Sequence, residues 1–444
     1  MDGHPLAERL LERIRARTAR VGVVGLGSVG LPLSRAFCDA GFHVLAFERD
    51  GAKLGRIQRG EDVLLHLGAG FTRALLASGR FAATGDFERE AELDVALISV
   101  PTPLSSANEP DLSDVSAAAE TLARNLRPGA LVVLESTTYP GTTREVLGGV
   151  FARAGRVLGE DVFLAYSPER ENPGPDGPPT RAIDKLVGGT CARSAELALA
   201  LYGQAIERVH VVERAEVAEA AKLFENVFRA VNIALVNELK VALEPMGLDV
   251  WDVLDAAATK PFGFMRFTPG PGMGGHCIPI DPWYLAWVAR RHGARAEFVE
   301  LAGEVNRRIP RWVVDRCERA LAERERALRG ARVLVIGLAF KRDVDIVTES
   351  PALRLLAELA ERGAETAWSD PHVPVAPQSA GAALAGTCSV TLDAASIAAF
   401  DLVLVATDHA AVDWETIARH ARLVVDTRNA LGERMAGRSN YVRA

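Results

Sequence analysis

Short apolar runs, each bounded by turn residues and followed by a helical repeat, organise both ends of the chain; a much longer helical repeat lies between them. Runs of this kind read as strands buried on both faces, the sort that build parallel sheets. The first, at 21–24, ends at Gly25, and a helical stretch at 33–40 separates it from a second run at 43–48. Further runs at 95–100, 131–134 and 162–165 predict a doubly wound α/β domain extending to about residue 210. Ahead of it, Leu6, Leu10, Leu11 and Ile14 predict a short amphipathic helix. Apolar residues at 217, 221, 224, 228, 231, 235, 239 and 242 then hold helical spacing, which predicts one helix from about 215 to 244, stopped by Pro245 and Gly247. Another helical stretch covers 283–320. After it the run at 332–336 enters Gly337, and 403–406 and 423–426 supply later strands of a second sheet. The fold expected is α/β: two Rossmann-like doubly wound domains, 1–210 and 326–444, joined by a long central helix and a helical middle domain, 211–325.

Gly25, Gly27 and Gly30 stand at GxGxxG spacing between the first strand and a helix, and Glu48 ends the second strand eighteen residues after Gly30. That context turns a weak pattern into a strong dinucleotide signal, with a pyrophosphate on the helix N-terminus and Glu48 accepting from ribose hydroxyls. An acid there repels a 2′-phosphate and favours NAD over NADP, while Arg49 beside it pulls the other way. Val29, Arg49 and Lys53 complete the set on this side. In open parallel sheets ligands bind beyond the carboxyl ends of strands, so the tips carrying Pro101, Thr102 and Thr137 should line the same cleft. No GxGxxG follows the strand at 332–336, so the last domain suits a nucleotide portion of a substrate better than a full dinucleotide.

Size and charge narrow the class. At 444 residues the chain exceeds one ordinary core. A net charge of −7 with no basic run disfavours nucleic acid, no apolar stretch reaches membrane-span length, and the charged N-terminus lacks the apolar core of a signal peptide. The five cysteines (38, 191, 277, 317 and 388) stand singly with no CxxC pair, which points to a reducing cytoplasm and against a disulfide framework or a zinc site, and no metal is expected. Cys277 is distinguished by its setting: glycines at 270, 272, 274 and 275 precede it and Asp281 follows. A glycine strap lets a substrate approach a nucleophilic thiol, although the same residues would suit a buried thiol beside a tight turn. Neighbouring residues on an extended segment point apart, so His276 is read as a packing or substrate contact. Lys222 and Asn226, four apart, share one face of the long helix.

These features, in this order, resemble the nucleotide-sugar 6-dehydrogenases of the UDP-glucose/GDP-mannose dehydrogenase family over nearly the whole chain. The matching motifs are Gly25 to Gly30, Val100-Pro-Thr-Pro103, Glu135-Ser-Thr-Thr-Tyr-Pro-Gly141, Ser167-Pro-Glu-Arg-Glu-Asn-Pro-Gly174, Ala221-Lys-Leu-Phe-Glu-Asn226, the Cys277 segment and Gly337-Leu-Ala-Phe-Lys341. The resemblance implies oxidation of a sugar's carbon-6 alcohol to a carboxylate with two NAD in succession, through a thiohemiacetal and a thioester on Cys277. It further implies that Lys222 and Asn226 stabilise the oxyanion, that Asp281 and Thr137 position water, and that Glu169 acts as base. The implied substrate contacts are Glu169, Arg170, Lys222, Asn226, Lys260, Phe262, Phe264, Arg266, Gly274, Phe340, Lys341 and Arg428. The segment from Lys260 to Met265 and the strap are most similar to the UDP-N-acetylglucosamine branch; UDP-glucose, UDP-N-acetylmannosamine and a dTDP-sugar are the alternatives. Two departures stand out: Arg266 where the branch commonly has proline, and Thr348 where the family has an arginine that helps hold the dinucleotide. A homodimer built on the long helix is also implied. A non-catalytic sensor would have no use for the thiol.

Overall fold

A computed structural model describes residues 4–105, 107–170, 180–275 and 278–444. His276, Cys277 and the 171–174 part of one motif lie outside the described residues. The chain divides into two compact units. The first comprises the residues up to Glu225 together with Trp287–Ala294, and the second Asn226–Ala286 with Arg295–Ala444.

The first unit is built on β1 (Arg20–Val24), β2 (His43–Phe47), β3 (Phe81–Thr84), β4 (Val95–Ile98), β5 (Ala130–Leu134), β6 (Val162–Tyr166), β7 (Lys185–Gly189) and β8 (Val209–Val212). Their order across the sheet is β3-β2-β1-β4-β5-β6-β7-β8. All neighbours run parallel except β6 and β7. The central strands β4, β5 and β6 are buried along their whole length, as continuous apolar runs in a sheet covered on both faces must be. One core cluster packs Val21, Val23, Leu97 and Val133 with the N-terminal helix Pro5–Arg15, and another packs Val24, Ile98, Val132 and Leu134 with the helix Ser113–Asn125. The chain order reverses between β1 and β4, which opens a crevice at their carboxyl ends.

The second unit carries a five-stranded parallel sheet of β9 (Arg332–Ile336), β10 (Glu365–Ser369), β11 (Leu402–Val405), β12 (Val424–Asp426) and β13 (Tyr441–Arg443), in the order β10-β9-β11-β12-β13. Its helices include Val250–Ala258 and Glu297–Ala322. The spine helix, Ala215–Leu243, runs through the unit boundary, which falls between Glu225 and Asn226.

Local differences from the sequence reading have identifiable causes. The helix expected at 33–40 is Gly30–Asp39, because the last glycine of the fingerprint is already helical. The strand expected at 95–100 ends at Ile98, where Ser99 turns its hydroxyl back to the carbonyls of Val24 and Gly25. The stretch at 283–320 is two helices, Asp281–Arg291 and Glu297–Ala322, separated near Gly293, whose φ of +76° no helix accommodates.

Candidate functional site

The fingerprint glycines of the first unit have three distinct jobs. Gly25 sits at φ +95°, and a side chain there would meet the Ser99 carbonyl. A side chain on Gly30 would collide with the Gly25 carbonyl, so this glycine lets the helix lie against β1. Around Gly27 nothing comes within 4 Å of the place a Cβ would take. Space at that position is what a pyrophosphate approaching the backbone requires. No side chain caps the helix, which begins after Val29; the Leu31 N–H already donates to the Gly27 carbonyl at 3.2 Å and Pro32 has none, so an anion there would rest on the backbone of the turn from Gly27 to Gly30.

Glu48 is 8% exposed. One of its oxygens accepts from the Asp50 N–H at 3.1 Å and the other pairs with Lys53 at 2.9 Å. Arg49, the residue that argues for a 2′-phosphate, is turned to Asp114, with nitrogen–oxygen distances of 2.5 and 3.1 Å. At the neighbouring tips Thr102 donates to the Thr137 carbonyl at 2.9 Å, which ties the Pro101-Thr102 turn to the end of β5. The residues present fit NAD.

Deeper in the same unit lies a charge cluster whose full membership no motif signals. The Lys185 ammonium, its side chain 5% exposed, stands 2.7 Å from Glu135 and 3.2 Å from Glu169. Tyr202 donates to the other oxygen of Glu135. Burial works against the charge on Lys185, but the two carboxylates outweigh it and hold the lysine protonated. Glu169 also accepts from the Arg170 N–H at 2.6 Å, and its own carbonyl accepts from Lys222. Arg170 reaches Glu225 at 3.1 Å and the Asp184 carbonyl at 3.0 Å. Three residues before Lys222 on the spine helix, Glu219 receives the N–H groups of Gly141 and Thr143 and the Thr143 hydroxyl. Burial, opposed by those bonds, pushes its carboxyl up to about 7.

In the second unit Asn226 donates to the Asp281 carboxylate, both residues being buried. The glycine strap is fixed by backbone contacts. Gly270 donates to Asn237 and accepts from Lys240, each at 3.0 Å, and a side chain there would run into the guanidinium of Arg428. Gly274 and Gly275 lie against Phe340, close enough to forbid a Cβ. Arg428 is half-buried and donates to the Ala406 carbonyl at 2.9 Å; Lys341 follows Phe340 in the loop after β9. Gly274, Phe340 and Arg428 are thus gathered by one strap. Lys260, Phe262, Phe264 and Arg266 are not: Phe262 is 70% exposed with Lys260 over its ring, and Arg266 pairs at 2.5 Å with Asp255 on the helix Val250–Ala258.

Where the first sheet leaves open N–H groups, the second fills them from its own chain. Gly337 occupies the position of Gly25, at φ +88°, but the next N–H groups, of Leu338 and Ala339, donate at 2.7 and 2.8 Å to the carboxylate of Asp370. His409 donates to that carboxylate too, at 3.0 Å, while its other ring nitrogen accepts from the Asp343 N–H at 2.9 Å. Asp370 therefore stands where a pyrophosphate would rest. Asp343, His372 and His409 bring three possible metal ligands within 4.8 Å of one another, yet both nitrogens of His409 are committed, which leaves it no lone pair for a metal.

The first unit has the architecture of an NAD-dependent oxidoreductase. Its residues 19–206 match the NAD binding domain of the UDP-glucose/GDP-mannose dehydrogenase family, residues 216–308 the central domain and 334–433 the UDP binding domain. A Salmonella typhi protein named UDP-N-acetyl-D-mannosamine dehydrogenase is 33% identical over 425 residues, covering 92% of this chain and 98% of its own. A Pseudomonas aeruginosa protein named UDP-N-acetyl-D-glucosamine 6-dehydrogenase is 36% identical over 356 residues, covering 80% and 83%. Among solved structures, a UDP-D-ManNAc dehydrogenase from Pyrococcus horikoshii superposes with a TM-score of 0.85 at 30% identity, covering 96% of this chain and 98% of the other. A UDP-glucose dehydrogenase from Pyrobaculum islandicum gives 0.82 at 29%, covering 96% and 97%. The chain belongs to the UDP-glucose/GDP-mannose dehydrogenase family, NAD-dependent oxidoreductases of nucleotide sugars. None of its described helices is long and apolar enough to cross a membrane.

Proposed function

We propose that the chain oxidises the carbon-6 alcohol of a UDP-N-acetylhexosamine, UDP-N-acetylglucosamine in the first place, to the corresponding uronate. The observation that carries the choice of sugar is the 36% identity to the Pseudomonas relative named for that sugar. The match to the mannosamine relative, lower in identity but longer in coverage, favours UDP-N-acetylmannosamine as the second reading.

Bound NAD supplies the hydride acceptor for each of the two oxidations. It is held by the turn from Gly25 to Gly30, by Glu48, and by the tips with Pro101, Thr102 and Thr137. Cys277 is the nucleophile: its thiolate adds to the carbon-6 aldehyde, and the thiohemiacetal, once oxidised, becomes a thioester that water cleaves. Lys222 offers a point charge and Asn226 a dipole to the oxygen at carbon 6. Asp281 and Thr137 position water, and Glu169 takes its proton. Gly274, Phe340, Lys341 and Arg428 contact the nucleotide diphosphate, with Arg170 and the segment carrying Lys260, Phe262, Phe264 and Arg266 as further substrate contacts. The four described cysteines are free thiols, which suits work in a reducing cytoplasm.

An alcohol-to-carboxylate oxidation removes four electrons and each NAD accepts two, so two NADH per sugar are expected. A panel of UDP-N-acetylglucosamine, UDP-N-acetylmannosamine, UDP-glucose and dTDP-glucose tests this, and the highest kcat/KM names the substrate. One NADH per sugar would refute the thioester reading, and a preference for UDP-glucose would refute the N-acetylhexosamine assignment.

The working form is proposed to be a homodimer through the spine helix. Phe224, Phe228, Leu235 and Leu239 recur at spacings of seven and four along it and stay 69, 43, 50 and 42% exposed, an apolar seam that a second copy would cover. Replacing Leu235 and Leu239 together by glutamate is expected to halve the mass seen in sedimentation. A wild-type chain that sediments as a monomer at all concentrations would rule the dimer out.

A further inference from the structure

The loop that leaves β9, residues 337–350, carries Phe340 against the strap glycines and Lys341 next to it. It contains no helix or strand, so hydrogen bonds set its course. The Phe340 N–H donates to the Ile346 carbonyl at 3.0 Å. Between them Asp343 sits at φ +57°, a left-handed conformation that few residues other than glycine adopt and that the surroundings must hold. Two bonds from the loop after β11 hold it. The Asp343 N–H donates to Nδ1 of His409 at 2.9 Å, and its carboxylate accepts the Ala410 N–H at 2.8 Å.

His409 is fixed on its far side as well. Its ring is wholly buried, with Nε2 3.0 Å from the Asp370 carboxylate. A backbone N–H can only donate, so Nδ1 is the bare nitrogen and Nε2 carries the hydrogen that Asp370 accepts. Asp370 is itself tied down, accepting from the N–H groups of Leu338, Ala339, His372 and Val373 at 2.7 to 3.2 Å. The imidazole thus spans from the end of β10 to Asp343, donating on one side and accepting on the other. Among side chains, it alone offers both on a single rigid ring.

We propose that His409 is a positioning residue for substrate binding: by holding Asp343 in its left-handed conformation, it keeps Phe340 and Lys341 where a nucleotide diphosphate meets them. This rests on the reading of Phe340 and Lys341 as diphosphate contacts. Buried as it is, His409 acts through the loop, so its loss is felt in UDP affinity and in the KM for the nucleotide sugar, not in kcat or in NAD binding.

The test measures UDP binding to the full chain by calorimetry, with NAD binding to the first unit as the check that each variant is folded. His409→Gln places a donor near Asp370 but no acceptor at Asp343, and is expected to weaken UDP about tenfold, the scale of one hydrogen bond. The KM for the nucleotide sugar should rise by the same factor while kcat and the KM for NAD stay within about twofold. His409→Asn restores an acceptor near the place of Nδ1 and should recover most of the UDP affinity. Wild-type UDP affinity in His409→Gln, or no recovery in His409→Asn, overturns the proposal. Lys341→Met separates this failure from that of the underlying reading: if it too binds UDP like wild type, the loop is no diphosphate contact at all. A further measurement needs no variant. Hydrogen exchange of the Asp343 amide in the wild-type chain should slow when UDP binds, and an unchanged rate also overturns the proposal.

Discussion

Lys185→Met is expected to destabilise the protein by about 3–5 kcal/mol, the usual cost of removing one partner from a buried ion pair. The lysine lies between Glu135, which is 1% exposed, and Glu169. Without it Glu135 keeps only Tyr202, whose hydroxyl it already holds. Burial already pushes the Glu135 carboxyl up against the pull of Lys185, and loss of the lysine raises it further, so the variant protonates Glu135 rather than leave a bare buried charge. The sign of the pH dependence follows. A carboxyl whose folded pKa lies above its unfolded value binds a proton on folding, so the stability it supports falls as pH rises through that interval. Urea unfolding of Lys185→Met should show a smaller deficit at pH 5 than at pH 8. Lys185→Arg keeps the charge and should recover part of the loss. If the methionine variant stays within about 1 kcal/mol of wild type at pH 8, the cluster is not balanced by this lysine. Kinetics give a second readout: Glu169 loses the cation beside it, so thioester cleavage should slow more than the first oxidation.

What could be read in the sequence is what is encoded locally. The first sheet's ligand turn is legible because strand, glycines, helix and Glu48 lie within thirty residues and each follows from a short-range demand on the backbone. The spine helix is legible because its apolar period persists for many turns. Strands β3, β7 and β8 are not: Phe81–Thr84 is one phenylalanine followed by two alanines and a threonine, Lys185–Gly189 ends in two glycines, and Val209–Val212 leaves two side chains exposed. Lys185 and Glu135 are fifty residues apart, and nothing in the spacing of either announces that tertiary packing buries them together. Asp370 shows the same limit from the opposite direction. The absence of GxGxxG after β9 says that no dinucleotide rests there, but only the fold shows a carboxylate from the end of β10 taking those N–H groups. Arg266 reads as a cation for the sugar or phosphate pocket, and packing turns it to Asp255.

Cys277→Ala is expected to lower the rate of net sugar oxidation by about a thousandfold or more, since a covalent step split in two loses its nucleophile. The size of the loss alone would not distinguish chemistry from folding, so the form of the residual reaction matters. The first oxidation does not use the thiol, and its aldehyde is expected to remain bound and return to alcohol. Adding an aldehyde trap such as hydroxylamine should draw off that aldehyde and give one NADH per sugar from the variant, against two from wild type without the trap. Wild type quenched in acid during turnover should carry the sugar on the peptide with Cys277, whereas Cys277→Ala should carry none. Unfolding curves of the two proteins should coincide, which separates a loss of chemistry from a loss of folding. A variant that still makes two NADH per sugar would remove Cys277 from the mechanism. The strap would then be a binding device alone, held by Asn237 and Lys240 at Gly270 and by Phe340 at Gly275, and hydration of the aldehyde by water held at Asp281 would have to replace the thioester.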